Sequence, residues 1–193
     1  MQKLMTATRV FFVFAILLGL IYPLFILAIG QTIFPDKANG SLLISNDKIV
    51  GSKLIAQEFT AHKYFHSRFS AKNYDATNSG ASSLALSNAN LYKQIEKRIK
   101  HILLENDLPP NTKLPADMVM SSASSLDPHI SLDNALLQLP RIAKHRGLPK
   151  ELVKNLINDF LDPDFIGIWG QKSVNVLQLN LKLDKLTATR LSG

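Results

Sequence analysis

The sequence predicts an α+β protein, with one N-terminal transmembrane helix followed by a small mixed α/β domain outside the cytoplasm. Three observations carry this. The run VFFVFAILLGLIYPLFILAIG, residues 10–30, holds no charge. Three later stretches place apolar residues at helical spacing. A terminal stretch, VNVLQLNLKLD (174–184), alternates apolar and polar residues like a half-buried strand.

The apolar run comes first. Its 21 residues would extend about 31 Å as a helix, close to the thickness of a bilayer's hydrocarbon core. A cleaved signal peptide is the rival reading, and Ala28-Ile29-Gly30 offers a weak small-x-small site, but the apolar core of such a peptide is only about 7–15 residues. Pro23 removes a backbone hydrogen bond in mid-span, which a kink with local rearrangement accommodates. Lys3 and Arg9 precede the run and no acidic residue does, so the positive-inside rule keeps residues 1–9 in the cytoplasm. The expected organisation is a span over 10–30, a juxtamembrane linker over 31–40 and an extracytoplasmic domain over 41–193. A single-pass membrane protein with its N-terminus in the cytoplasm is expected.

SLLISNDKIVGS (41–52) reads as a hairpin turning at Asn46-Asp47. A short helix is expected over 52–61, capped by Ser52, with Leu54, Ile55 and Phe59 apolar. Residues 62–90 are rich in Ser, Asn and Ala without a sustained period, so a long loop is expected. From Asn90, Leu91, Ile95, Ile99 and Ile102 share a helical face, and Glu96 and Lys100 form an i,i+4 pair. Leu108-Pro109-Pro110 ends that helix. LPADMVMSS (114–122) reads as a short strand. A second helix follows, with Leu132, Ala135, Leu136, Leu139 and Ala143 on one face, Lys144-His145-Arg146 at its negative end and Gly147 as its stop. Pro140 should kink it. A third helix starts near Pro149, with Leu152, Val153, Leu156, Ile157 and Phe160 apolar. In the terminal stretch the alternation slips phase once, and a bulge near 176–177 would reconcile it.

Composition excludes several functions. The formal charge is +7, and with Lys3 and Arg9 on the cytoplasmic side and all 15 acidic residues beyond the span, the exported part carries +5. That charge suits a solvated surface, an anionic lipid surface or an acidic partner. No basic run interleaves with aromatics, which argues against nucleic acid. With no cysteine there is no disulfide framework, thiolate metal site or cysteine nucleophile. No glycine-rich loop precedes a Lys-Ser/Thr pair, and neither Asp36-Lys37-Ala38-Asn39 nor Asp184-Lys185-Leu186-Thr187 matches an Asp-Lys-Thr-Gly phosphorylation site, so the chain is not expected to hydrolyse ATP. The five histidines are scattered, and none sits with a glutamate in a helical zinc pattern.

One stretch invites a catalytic reading: SASSLDPHIS, residues 122–131. A serine triad needs its nucleophile in a sharp turn among amide donors, and no glycine lies between Gly80 and Gly147. The favoured physical reading is a loop and helix entrance. Ser131 caps the second helix, Asp133 sits in its first turn, and Asp127-Pro128 makes a turn. A catalytic site and a metal corner are the alternatives.

Larger motifs refine this. YFHSRFSAKNY (64–74), NSGASSLALSN (78–88) and SSASSLDPHIS (121–131), the last followed by a helix ending in RIAKHRGL (141–148), resemble the KdpC subunits of bacterial high-affinity potassium-transporting P-type ATPases. GSKLIAQEF (51–59) and the terminal VNVLQLNLKLD fall in the matching order, so the resemblance covers nearly the whole chain. It implies a non-catalytic accessory subunit that assembles and stabilises an ATP-driven potassium uptake pump. The partners it implies are a channel-like potassium-binding subunit, the ATP-hydrolysing P-type subunit and a small hydrophobic subunit. It also implies a catalytic chaperone that raises the ATP affinity of the hydrolysing subunit, and ATP as a ligand by resemblance alone. The topology opposes direct ATP contact, because only residues 1–9 lie in the cytoplasm and a single span can couple only indirectly. No catalytic or metal residue is expected. Tyr64, Arg68, Tyr74, Ser79, Gly80, Asp127 and His129 are the candidates for partner contact or loop order.

The chain departs from the family pattern at Ala81, Ala85, Ala123 and Ser125, where glycine is preferred, and at Phe69 and Leu86, where proline is usual or common. Pro140 falls in a helix that is usually uninterrupted. Residues other than glycine tolerate a positive φ poorly, so altered loop shapes are expected. The competing class is a membrane-anchored extracytoplasmic enzyme or solute-binding module, which would place His129 and Asp127 within hydrogen-bond reach of one serine in a closed pocket.

Overall fold

The computed structural model describes residues 1–45, 47–162 and 170–191. The chain forms two compact units, Met1–Ser52 and Lys53–Gly193.

The first unit begins with one helix, Gln2–Ile33, long and apolar enough to cross a membrane and with no residue of its apolar window covered by protein. It comprises α1 (Gln2–Ile16), a π-helical turn (Leu17–Ile21) and α2 (Tyr22–Ile33). Pro23 explains the π turn. It has no N–H, and its ring would crowd the carbonyl four residues back, so the chain widens just before it and Tyr22 N–H reaches back to Leu17. The helix is longer than the uncharged run because residues 2–9, Lys3 and Arg9 included, continue the same spiral. A one-turn helix, α3 (Pro35–Ala38), follows, then an antiparallel hairpin of β1 (Leu42–Ser45) and β2 (Lys48–Ser52) with a bulge between Leu43 and Ile44. The hairpin lies where the sequence predicts it. Asn46 falls outside the described residues.

The second unit is built on α6 (Leu132–Arg146), α7 (Lys150–Asp159) and α8 (Val176–Leu191), with a two-stranded ladder of β3 (His129–Ser131) and β4 (Ser173–Asn175). Its core holds Phe65, Ile130, Ala135, Ile142, Val153, Ile157, Val174, Leu179 and Leu183, all buried. The helix α4 (Ala89–Glu105) is capped by Asn88, whose side chain accepts from Asn90 N–H, and buries Leu91 and Ile102. The helix α6 starts as the sequence predicts, with Ser131 Oγ accepting from Asn134 N–H. It ends at Gly147, whose φ of 61° closes a Schellman turn from Leu148 N–H to Ala143 C=O. The helix continues through Pro140, which lies on its exposed face, where water can solvate the freed carbonyl.

Three expected elements differ. No helix forms over 52–61. Ser52 ends β2 and donates to Gly40 C=O, while Ala56 N–H bonds Leu126 C=O, so tertiary partners take groups that a helix would need. The strand expected over 114–122 is instead a single turn, α5 (Ala116–Val119), entered from Pro115. Only Ser121 makes a bridge, to Phe69. The strand expected over 174–184 stops at Asn175 and becomes α8. The phase slip near 176–177 is therefore a strand-to-helix junction, with no bulge. Val176, Leu179, Asn180 and Leu183 share the buried face at helical spacing, and the polar Asn180 hid that period. Asn175 Oδ1 caps the new helix by accepting from Gln178 N–H.

Candidate functional site

Two long segments without regular structure, residues 57–88 and 120–128, are tied to each other and to the helices by polar side chains. One knot is Arg68, Asp127, His129 and Asp162. Arg68 donates to Asp127 Oδ2 at 2.9 Å, and Asp127 Oδ1 accepts from His129 N–H at 3.0 Å. The His129 ring lies between two carboxylates, Nδ1 at 3.6 Å from Asp127 and Nε2 at 3.2 Å from Asp162. The Asp127 carboxylate beside Nδ1 holds the imidazole above its ordinary value, and Asp162 adds to this against the effect of burial. The His129 side chain, its backbone N–H and Arg68 together hold the Asp127 carboxyl below the usual carboxylate range. Among the described residues no serine hydroxyl bonds His129 or the Asp127 carboxylate, while Ser173 Oγ donates to Asp162 Oδ2 at 3.4 Å. Ser131 Oγ serves Asp117 and Asn134 instead.

A second knot joins the loops through Gly80 and Ser125. Gly80 N–H and Ser79 Oγ both donate to Ser124 C=O, at 3.0 and 3.2 Å. Ser125 Oγ donates to Gly80 C=O at 2.5 Å and accepts from Ala71 N–H at 3.0 Å. Ser125 is 1% exposed with φ at 62°, the left-handed region where glycine is preferred. Ala81, Ala85 and Ala123 are not in that region, so of these four positions only Ser125 bears the conformational cost. Its hydroxyl compensates with two bonds that glycine could not make. Tyr74 O–H donates to Arg68 C=O at 2.9 Å, and burial pushes its phenol up to about 12.

A third knot, which sequence reasoning missed, fixes the chain around Phe65. Asn180 Oδ1 accepts from Phe65 N–H and its Nδ2 donates to Phe65 C=O, each at 2.9 Å. Gln138 does the same for His66, at 2.7 and 3.1 Å. Arg141 donates to His62 C=O and Tyr64 C=O. These helical side chains take the place of a neighbouring strand. Asn134, Gln138 and Arg141 form a buried polar stripe on α6, and that spacing (4 then 3) is the signal the sequence contained.

Tyr64 stands apart from the other candidates. Its hydroxyl donates to Asp184 Oδ2 at 3.0 Å, and Arg146 stacks on its ring and pairs with Asp184. The histidines, scattered in sequence, are partly gathered. The Nδ1 atoms of His62, His66 and His101 lie 3.5, 3.3 and 3.6 Å from the Glu105 carboxylate. Burial raises the Glu105 carboxyl, but the bond to His66 and the nearby charges outweigh this and hold it below its ordinary value. This cluster edges a cleft of about 550 Å³ that Glu58, Phe69 and Tyr74 also line.

The family model described as K+-transporting ATPase, c chain (KdpC) matches residues 4–185. The chain belongs to the KdpC family. A potassium-transporting ATPase KdpC subunit of Caldanaerobacter subterraneus subsp. tengcongensis is 46% identical over 171 residues, 89% of each chain. The KdpC subunit of Mycobacterium tuberculosis is 42% identical over 187 residues, covering 96% of this chain and 99% of its own. That of Bacillus cereus is 45% identical over 180 residues, 92% and 93% of the two chains. The KdpC match spans the apolar helix and all three knots, so the family expectation from the loop motifs holds across the whole fold.

Proposed function

We propose that this chain is a non-catalytic accessory subunit of an ATP-driven potassium pump, and that it assembles and stabilises the complex through its two knotted loops. The supporting observation is that polar side chains, the buried Asn180, Gln138 and Ser125 among them, tie segments 57–88 and 120–128 to each other and to the helices. Ordering these segments in advance lowers the entropy lost on docking. The natural partners are the potassium-binding channel-like subunit, the ATP-hydrolysing subunit and the small hydrophobic subunit. Arg68, Tyr74, Ser79, Gly80, Asp127 and His129 order the loops in this reading, and Tyr64 orders the Phe65 segment from the other side.

The helix Gln2–Ile33 crosses the inner membrane once, with residues 1–9 in the cytoplasm and the second unit outside. An effect on ATP affinity in the hydrolysing subunit is then indirect, transmitted through the span. Detergent co-purification through a tag on this chain, with potassium-stimulated ATPase activity measured in the eluate, tests the proposal. Recovery of active pump supports it. A stable chain that elutes alone refutes it.

A further inference from the structure

The hairpin of the first unit leaves one apolar face uncovered. Leu42 is 46% exposed, Ile44 63% and Ile49 65%, and Ile44 pairs directly with Ile49 across the ladder. Leu42 and Ile44, two residues apart, share a side of β1. A two-stranded hairpin with such a face in water is marginal and invites association.

The surroundings indicate what covers it. The hairpin belongs to the same compact unit as the apolar helix, not to the second unit. Only residues 34–41 separate the helix from β1. That linker is drawn in by α3 and by bonds from Ser41 N–H to Asp36 C=O and from Ser52 Oγ to Gly40 C=O. Eight residues span at most about 28 Å fully extended, and a helical turn shortens that reach. The helix end continues the apolar surface with Ile33 and Phe34, 62% and 53% exposed. Lys37, whose ammonium lies 5.7 Å from the Phe34 ring centroid, and Lys48 at the start of β2 supply cations of the kind that meet lipid phosphates. Lys48, exposed beside Ile49, keeps the hairpin out of the hydrocarbon centre and suits the interface.

We infer that the face of Leu42, Ile44 and Ile49 lies in the lipid headgroup region at the C-terminal end of the span, as a second membrane contact that holds the chain close to the bilayer. This rests on reading Gln2–Ile33 as a membrane span.

The chain has no cysteine, so single sites can be spin-labelled in the full-length protein. Ile44→Cys, Ile49→Cys, Phe25→Cys in the span and Leu104→Cys, an exposed site of the second unit, would be reconstituted separately in bilayers of phosphatidylcholine and phosphatidylglycerol. Accessibility to lipid-soluble oxygen and to a water-soluble nickel chelate would then be compared. The expected oxygen-to-nickel ratio at 44 and 49 exceeds that at 104 by at least about twofold and stays below that at 25. Ratios at 44 and 49 equal to that at 104, with 25 in lipid, would overturn the inference and leave the span intact. A water-exposed label at 25 would refute the span and the inference together. Labels at 44 and 49 shielded from both reagents would mean a protein cover, a second copy or a pump subunit, and would also overturn it.

Discussion

Replacing Asn180 with leucine isolates the third knot. The side chains are similar in size, so the change keeps volume and removes both hydrogen-bonding groups. Asn180 is 1% exposed, and Phe65, which it holds at both N–H and C=O, is fully buried. Two backbone groups would lose their partners without access to water. Each such group costs about 1–3 kcal/mol, and the added apolar burial of leucine returns about 1–2 kcal/mol. Taking the middle of each range, the net loss is about 2.5 kcal/mol, and for a unit of this size each kcal/mol lowers the midpoint temperature by about 3–5 °C. Urea unfolding of the full chain in detergent, followed by near-ultraviolet circular dichroism, would measure the loss. Hydrogen exchange at Phe65 would show whether the segment opens first. A loss under about 1 kcal/mol with Phe65 still protected would refute the reasoning, because Gln138 and Arg141 would then suffice alone. If loop order supports assembly, the variant should also recover less pump on co-purification.

Stability should depend on pH through the His129 knot. The raised imidazole contributes stability that is complete below its ordinary value of 6.5 and is lost as pH rises through the native value. The depressed Asp127 carboxyl contributes stability that is present above 3.8 and is lost as pH falls through its native value. The urea midpoint should therefore decline on the alkaline side, and His129→Asn should flatten that limb; an unchanged limb would exclude His129 as its source. At Ser125, alanine loses two hydrogen bonds and keeps the strained φ, for about 1–3 kcal/mol, while glycine relieves about 1 kcal/mol of that. Stability should rank Ser, then Gly, then Ala, and alanine equal to glycine would contradict the left-handed backbone. Gly147→Ala meets no atom within 4 Å, so its cost should be conformational only, about 1 kcal/mol by thermal unfolding.

Features decided by local chemistry were legible in the sequence. The long apolar helix follows from residues 10–30, the hairpin from its apolar runs and the start of α6 from Ser131. Gly147 stops α6 because the left-handed turn there suits a residue without Cβ. The family motifs marked both loops, and Arg68, Tyr74, Ser79, Gly80, Asp127 and His129 do meet in two joined knots. The misreadings share one cause. Residues 52–61 have a helix-like start, yet Ala56 spends its N–H on Leu126, far away in sequence. VNVLQLNLKLD alternates like a strand, yet Asn180 turns inward to serve Phe65, 115 positions away. Glu105 gathers two histidines from the loop at 62–66, about 40 positions away, beside His101 of its own helix. Local spacing and charge thus determined where the helices start and stop and which segment is apolar enough for a membrane. Only the tertiary structure decided which buried polar side chains substitute for missing backbone partners, because that choice depends on groups distant in sequence and close only once the core has formed.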